Sequence, residues 1–135
     1  MPAKRNLANV ATLEGQVLQV REVEAGAEVG YGSTYRVSGP SLLATIGAGY
    51  ADGVPRLLSN RGQVYFQGYR IPIVGHISMD SLVVDLTDAA DCVMQEGDWV
   101  EIFGANLPVD DVAQQAETIA YEVYTGIGSR VVRLL

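Results

Sequence analysis

Lysine, cysteine and histidine each occur once in this chain of 135 residues, as Lys4, Cys92 and His76. A lone cysteine excludes a disulfide within the chain. With a lone histidine it also excludes the usual Cys/His zinc sites, so no metal is expected. The lone lysine sits in a polar amino-terminal stretch with no strand or helix pattern. Chemistry that needs a buried Schiff-base lysine must therefore find it on another polypeptide or on a segment outside this chain. Positive charge is scarce: 9 basic residues face 16 acidic ones, a net charge of −7, and after Asp80 the only cations are Arg130 and Arg133. Such a field repels phosphate backbones, so nucleic acid is not an expected partner. No apolar run reaches membrane-spanning length, and Met1-Pro-Ala-Lys-Arg-Asn-Leu lacks the apolar stretch of a secretory signal. The expectation is a soluble, cytoplasmic protein with no membrane partner.

What is present is a globular composition, 48% hydrophobic and 19% charged, in one domain large enough to bury its own core. Residues 1–12 read as a residual linker or tail, and 13–135 as the domain. Leu13 to Val23 alternates like a strand until Ala25-Gly26 breaks it. Gly30 to Val37 is short and extended, and Leu42 to Ala48, after the Ser38-Gly39-Pro40 turn, suits a strand buried on both faces. Gly49 to Arg56 is too rich in breakers to be regular. Gln63 to Phe66 and Arg70 to Val74 flank Gln67-Gly68-Tyr69 as a hairpin. Further strands are expected at Val74 to Met79, Leu82 to Leu86 and Trp99 to Phe103. Val109, Val112, Ala113 and Ala116 recur at helical spacing behind Pro108, a second short helix covers Ile119 to Tyr124, and Arg130 to Leu135 reads as a closing strand. The sum is a mainly β protein: a closed, Greek-key-like antiparallel barrel of about six strands with a short helical insertion near the carboxy terminus.

One stretch reads as a displayed side chain. In Val29-Gly30-Tyr31-Gly32-Ser33-Thr34-Tyr35 a tyrosine lies between two glycines, which lets the backbone turn freely and a ligand approach it. The same heptapeptide also suits a glycine-rich turn with an ordinary half-buried tyrosine. A second Gly-Tyr pair, Gly49-Tyr50, opens the Asp52-Gly53 turn.

Gly30-Tyr31-Gly32-Ser33-Thr34-Tyr35, Gly49-Tyr50-Ala51-Asp52-Gly53 with Pro55-Arg56, and Arg61-Gly62 leading to Pro72-Ile73-Val74-Gly75 stand in a definite order. Met79-Asp80, Asp85-Leu86-Thr87, Ala120-Tyr121-Glu122 and Ser129-Arg130-Val131-Val132-Arg133 follow. In order and approximate spacing they resemble the carboxy-terminal domain of alanine racemases, from about Leu13 to the last residue.

The resemblance implies a pyridoxal 5'-phosphate enzyme that interconverts L- and D-alanine. Its amino-terminal (β/α)₈ domain, outside this chain, holds the cofactor on a lysine. Its carboxy-terminal domain completes the partner subunit's active site in a head-to-tail homodimer. It further implies that Tyr31 is the acid/base opposite that lysine, that the Met79 backbone N–H meets the substrate carboxylate, and that Tyr50 and Tyr121 narrow the access corridor, Tyr121 also near the cofactor phosphate. Each has a plainer alternative: Met79 as a core methionine at a strand end, Tyr50 and Tyr121 as barrel-rim aromatics. Asp52 and Asp80 read as loop-shaping residues. His76 stands where relatives often carry arginine, which puts a fixed positive charge in question, and it reads equally as a strand-end histidine. Cys92, beside Asp91 in an acidic loop, reads as a bystander. The isolated domain is expected to be inactive and to bind no cofactor. A non-catalytic β-barrel interaction module, or the same domain from a racemase of another amino acid, are the alternatives.

Overall fold

Period-two burial defines the architecture. In the computed structural model, which describes residues 12–29, 35–89, 91–108, 111, 112 and 114, eight strands run in chain order: β1 (Leu13–Val23), β2 (Glu28–Val29), β3 (Tyr35–Arg36), β4 (Ser41–Ile46), β5 (Gln63–Phe66), β6 (Tyr69–Val74), β7 (Leu82–Asp85) and β8 (Trp99–Phe103). Six of them close a barrel in the order β1-β4-β7-β6-β5-β8, every neighbouring pair antiparallel, while β2 and β3 pair separately. Closure removes free sheet edges and leaves one packed interior.

Strand β1 is long because it serves two neighbours. Leu13 to Gln16 pair with β8, and Val17 to Val23 pair with β4. Between Val17 and Gln19 the register slips by one, so Leu18 is an extra residue on β1, a bulge of the kind that bends a strand around a barrel corner. Inside lie Val17, Ala44, Ile46, Val64, Ile71, Ile73, Val84, Val100 and Ile102. A second, smaller cluster sits outside the barrel, where Val29 of β2 and Val37, just after β3, pack on Leu43 and Val74. Strand β4 is therefore covered on both faces, with Ala44 and Ile46 in one cluster and Leu43 in the other, as the apolar run predicts.

The β5–β6 hairpin turns through two residues, Gln67 and Gly68, both with positive φ, 48° and 93°. That matches a type I′ turn, whose twist suits antiparallel strands, and Tyr69 already belongs to β6. The strand expected at Val74 to Met79 does not form. Strand β6 ends at Val74, Gly75 takes a left-handed φ of 77°, and the chain curls into a turn closed by Ser78 and Ser81. The stretch from Gly49 to Arg56 is more ordered than its breakers suggest. Tyr50–Asp52 and Arg56–Leu58 form two short three-ten turns.

Of the expected helix behind Pro108, the described residues Asp111 and Val112 are helical and both donate to the Pro108 carbonyl, at 2.9 and 3.2 Å. The expected second helix and closing strand lie outside the described residues, as does the linker or tail at 1–12 apart from its last residue. Among the described residues no helix is long and apolar enough to cross a membrane.

Candidate active-site rim

The antiparallel order puts the β4–β5 connection and the β6–β7 connection at the same end of the barrel, beyond Ile46, Val74 and Leu82. Hydrogen bonds join them. The Tyr50 N–H donates to the Ser78 carbonyl and the Ala51 N–H to the Met79 carbonyl, each at 3.0 Å. Lower on the rim the Ile77 N–H donates to Ser59 Oγ at 2.9 Å, and the Gly75 N–H to Asn60 Oδ1 at 2.6 Å. The 78–81 turn is also tied internally, by Ser78 N–H to the Ser81 carbonyl at 2.9 Å and Ser81 N–H to Ser78 Oγ at 3.1 Å.

Two of the four sequence-predicted site residues stand on this rim. Met79 is 52% exposed and Tyr50 is 37% exposed, so Met79 is not the core methionine of the plainer alternative, and its side chain faces outward while its backbone is held. Tyr50 is braced by Arg56, whose guanidinium carbon lies 4.8 Å from the ring centroid, a cation–π distance. Tyr31 and Tyr121 lie outside the described residues. The flank of Tyr31 is described: buried Val29 packs in the outer cluster with Val74, the last residue of β6 before the 75–81 turn.

Asp52 is buried, and its Oδ2 accepts the Gly49 N–H at 3.0 Å, which bears out a loop-shaping carboxylate. His76 is exposed and lines a cleft of about 290 Å³ with Arg56, Leu57, Ser59, Arg61 and Ile77. The cleft keeps two guanidiniums as its fixed positive charge. Cys92 is buried in the interior cluster. Burial, and then the charge of Asp98, push its thiol above its ordinary value of 9.0, opposite to an activated nucleophile. Among the described residues no group of three or more His, Cys, Asp or Glu could hold a metal ion.

Sequence reasoning passed over Ser59, Asn60 and Arg56 as parts of the site. Ser59 and Asn60 follow the second three-ten turn directly and are residue types that bind neighbouring backbone, a signal available in the sequence. The Arg56–Tyr50 stacking had no such signal, since it depends on how the two turns fold onto each other.

A closed six-stranded antiparallel barrel whose one end is a hydrogen-bonded rim carrying an exposed tyrosine and a backbone-held methionine defines a small β-domain that presents polar and aromatic groups outward. The chain belongs to the family "Alanine racemase, C-terminal domain", whose family model matches residues 10–135. It is 44% identical over 131 residues to the alanine racemase of Brucella canis, covering 97% of this chain and 33% of that protein. It is 48% identical over 127 residues to the catabolic alanine racemase of Rhizobium johnstonii, covering 94% and 34%. Among solved structures it matches alanine racemase from Bartonella henselae, which has covalently bound pyridoxal phosphate, at 51% identity and a TM-score of 0.88, covering 91% of this chain and 34% of that one. Alanine racemase from Streptomyces coelicolor matches at 38% identity and a TM-score of 0.87, covering 99% and 35%. The chain thus spans about a third of the length of the relatives it matches.

Proposed function

We propose that this chain, as a domain over residues 13–135, forms one wall of an amino-acid racemase active site, with alanine as substrate, in the cytoplasm. The observation that carries this is the meeting of Tyr50 and Met79 through the Tyr50–Ser78 and Ala51–Met79 hydrogen bonds, in a chain of the alanine racemase C-terminal family.

The only lysine, Lys4, lies outside the described residues, so those residues offer no side-chain amine to bond a pyridoxal phosphate aldehyde. They do not supply the Schiff-base lysine. The partner is a pyridoxal-phosphate-holding domain of a second subunit in a homodimer, where the cofactor supplies the electron sink for the reaction.

Racemisation requires one group to take the substrate's α-proton on one face and another to return a proton on the opposite face. Tyr31 is the group this chain contributes, its phenol oxygen accepting the proton from L-alanine or delivering one to form it. A free phenol titrates near ~10, so positive charge or hydrogen bonds from the assembled site must favour its phenolate. The Met79 N–H holds the substrate carboxylate, a role that leaves its side chain free to be apolar. Tyr50, steadied by Arg56, and Tyr121 narrow the approach.

The test is complementation. Mixed with the separately produced remainder of the racemase, this chain restores alanine racemisation, and neither part racemises alone. Turnover by this chain by itself, or a pyridoxal phosphate absorbance band that survives its gel filtration, contradicts the proposal.

A further inference from the structure

Two charged side chains are buried among the described residues, Asp52 and Glu101. Glu101 serves its own neighbourhood, where its carboxylate accepts the Asn106 N–H, the Asn106 Nδ2 group and the Leu107 N–H at 2.9, 3.1 and 2.7 Å. Asp52 shapes a turn whose product is used elsewhere. Its Oδ2 accepts the Gly49 N–H while its own N–H donates to the Gly49 carbonyl, both at 3.0 Å. That reciprocal pair fixes the turn and leaves the Tyr50 and Ala51 N–H groups to donate to the carbonyls of Ser78 and Met79.

The first of those carbonyls sets the direction of the amide that follows it. A trans peptide unit is planar, with its C=O and N–H pointing opposite ways, and there is no cis bond among the described residues. The Ser78 carbonyl faces the 49–52 turn, so the Met79 N–H faces away from it. The Met79 carbonyl, bonded to the same turn, fixes the other side of the residue. Among the described residues the Met79 N–H has no acceptor, and it is left as a donor aimed away from the turn that holds it.

We infer that Asp52 is a positioning residue: by locking the 49–52 turn it orients the Met79 N–H as a donor for the carboxylate of the substrate. This rests on the function proposed above. Asp52 is itself buried. It acts through Gly49 and the two amides that follow, and its carboxylate charge strengthens the bond that starts the chain.

The experiment is made in the whole racemase that carries this domain, with wild type, Asp52→Ala and Asp52→Asn. Three quantities are measured: kcat and KM for alanine, the inhibition constant of propionate, a carboxylate without an amine, and the melting temperature. Asp52→Ala raises both KM and the propionate constant about tenfold, in line with the loss of one hydrogen bond to a charged group, while kcat changes by less than about threefold. Asp52→Asn keeps an acceptor oxygen without the charge and raises them about threefold. If Asp52→Ala does not accumulate, the Asn variant decides alone. Variants that melt lower yet keep KM and the propionate constant at wild-type values overturn the inference and leave the proposed function standing. A wild type that racemises alanine and is not inhibited by propionate removes the carboxylate role of Met79, and the inference with it.

Discussion

The N–H of Tyr50 donates to the carbonyl of Ser78 at 3.0 Å, so the rim's exposed tyrosine and the turn that carries Met79 share one backbone framework. Gly49, one residue earlier, makes that approach possible. A Cβ there would stand 2.3 Å from the Ser78 carbonyl oxygen and 2.5 Å from that of Met79. Both are backbone atoms and cannot swing aside. Gly49→Ala is therefore expected to destabilise the domain by about 1–3 kcal/mol, read as a lower midpoint in thermal or urea unfolding. An unchanged midpoint would mean that the two turns are not in contact.

The hairpin at Gln67-Gly68 predicts a change in the other direction. Gln67 adopts a φ of 48°, which asparagine tolerates better in a type I′ turn. Gln67→Asn should raise stability by roughly 0.5–1 kcal/mol with the same denaturant slope.

Core and surface should respond very differently. Ile73 is 2% exposed inside the barrel, and Ile73→Ala is expected to destabilise by about 2–5 kcal/mol through lost burial and a residual cavity. The Arg36–Glu28 ion pair is exposed on both sides. Arg36→Ala should shift stability by less than about 1 kcal/mol, and by less still at high salt. Chemical denaturation of the two variants side by side checks the contrast.

Cys92 gives a pH dependence. Its thiol is pushed above its ordinary value of 9.0 by burial and by Asp98, so the folded state holds the proton more tightly than the unfolded one. The stability it contributes is fully present below that ordinary value and is lost as pH rises toward and through the raised folded value. Alkylation of Cys92 in the native protein should accordingly stay slow at about pH 8 and become fast when urea exposes the thiol. Equal rates in both conditions would contradict its burial.

What the sequence made legible was what local pattern controls. The strands read at Leu13 to Val23 and at Trp99 to Phe103 match β1 and β8 at both ends, because breaker residues such as Ala25-Gly26 and Glu96-Gly97-Asp98 mark where they stop and start. Burial itself alternates only in the first half of β1 and runs unbroken from Val100 to Phe103 in β8. The apolar run in β4 was readable as doubly covered. The stretch after Val74 was misread as a strand because Ile77 and Met79 continue an apolar alternation, while Gly75, with its left-handed φ, ends the pairing. The order in Gly49 to Leu58 was hidden for another reason. Its turns are held by bonds to Ser78 and Met79, far along the sequence, and nothing local announces such partners. Ser59 and Asn60 carried a local signal as turn-following residues that bind backbone, but their partners, Ile77 and Gly75, were not readable from it. For Tyr50, Met79 and Tyr31, motif order was the guide, and geometry accounts for how the first two are held.

Tyr31 is, on this account, the acid/base that the chain contributes, and isotope exchange in the assembled racemase tests that role most directly. With Tyr31→Phe, exchange of the α-proton of L-alanine with deuterated water should fall by at least about 100-fold, the scale of a removed general base, while exchange from D-alanine, served by the opposite group, persists. Loss of exchange from L-alanine alone is the predicted result. A Tyr31→Phe enzyme that assembles and exchanges the L-enantiomer at the wild-type rate would contradict the account.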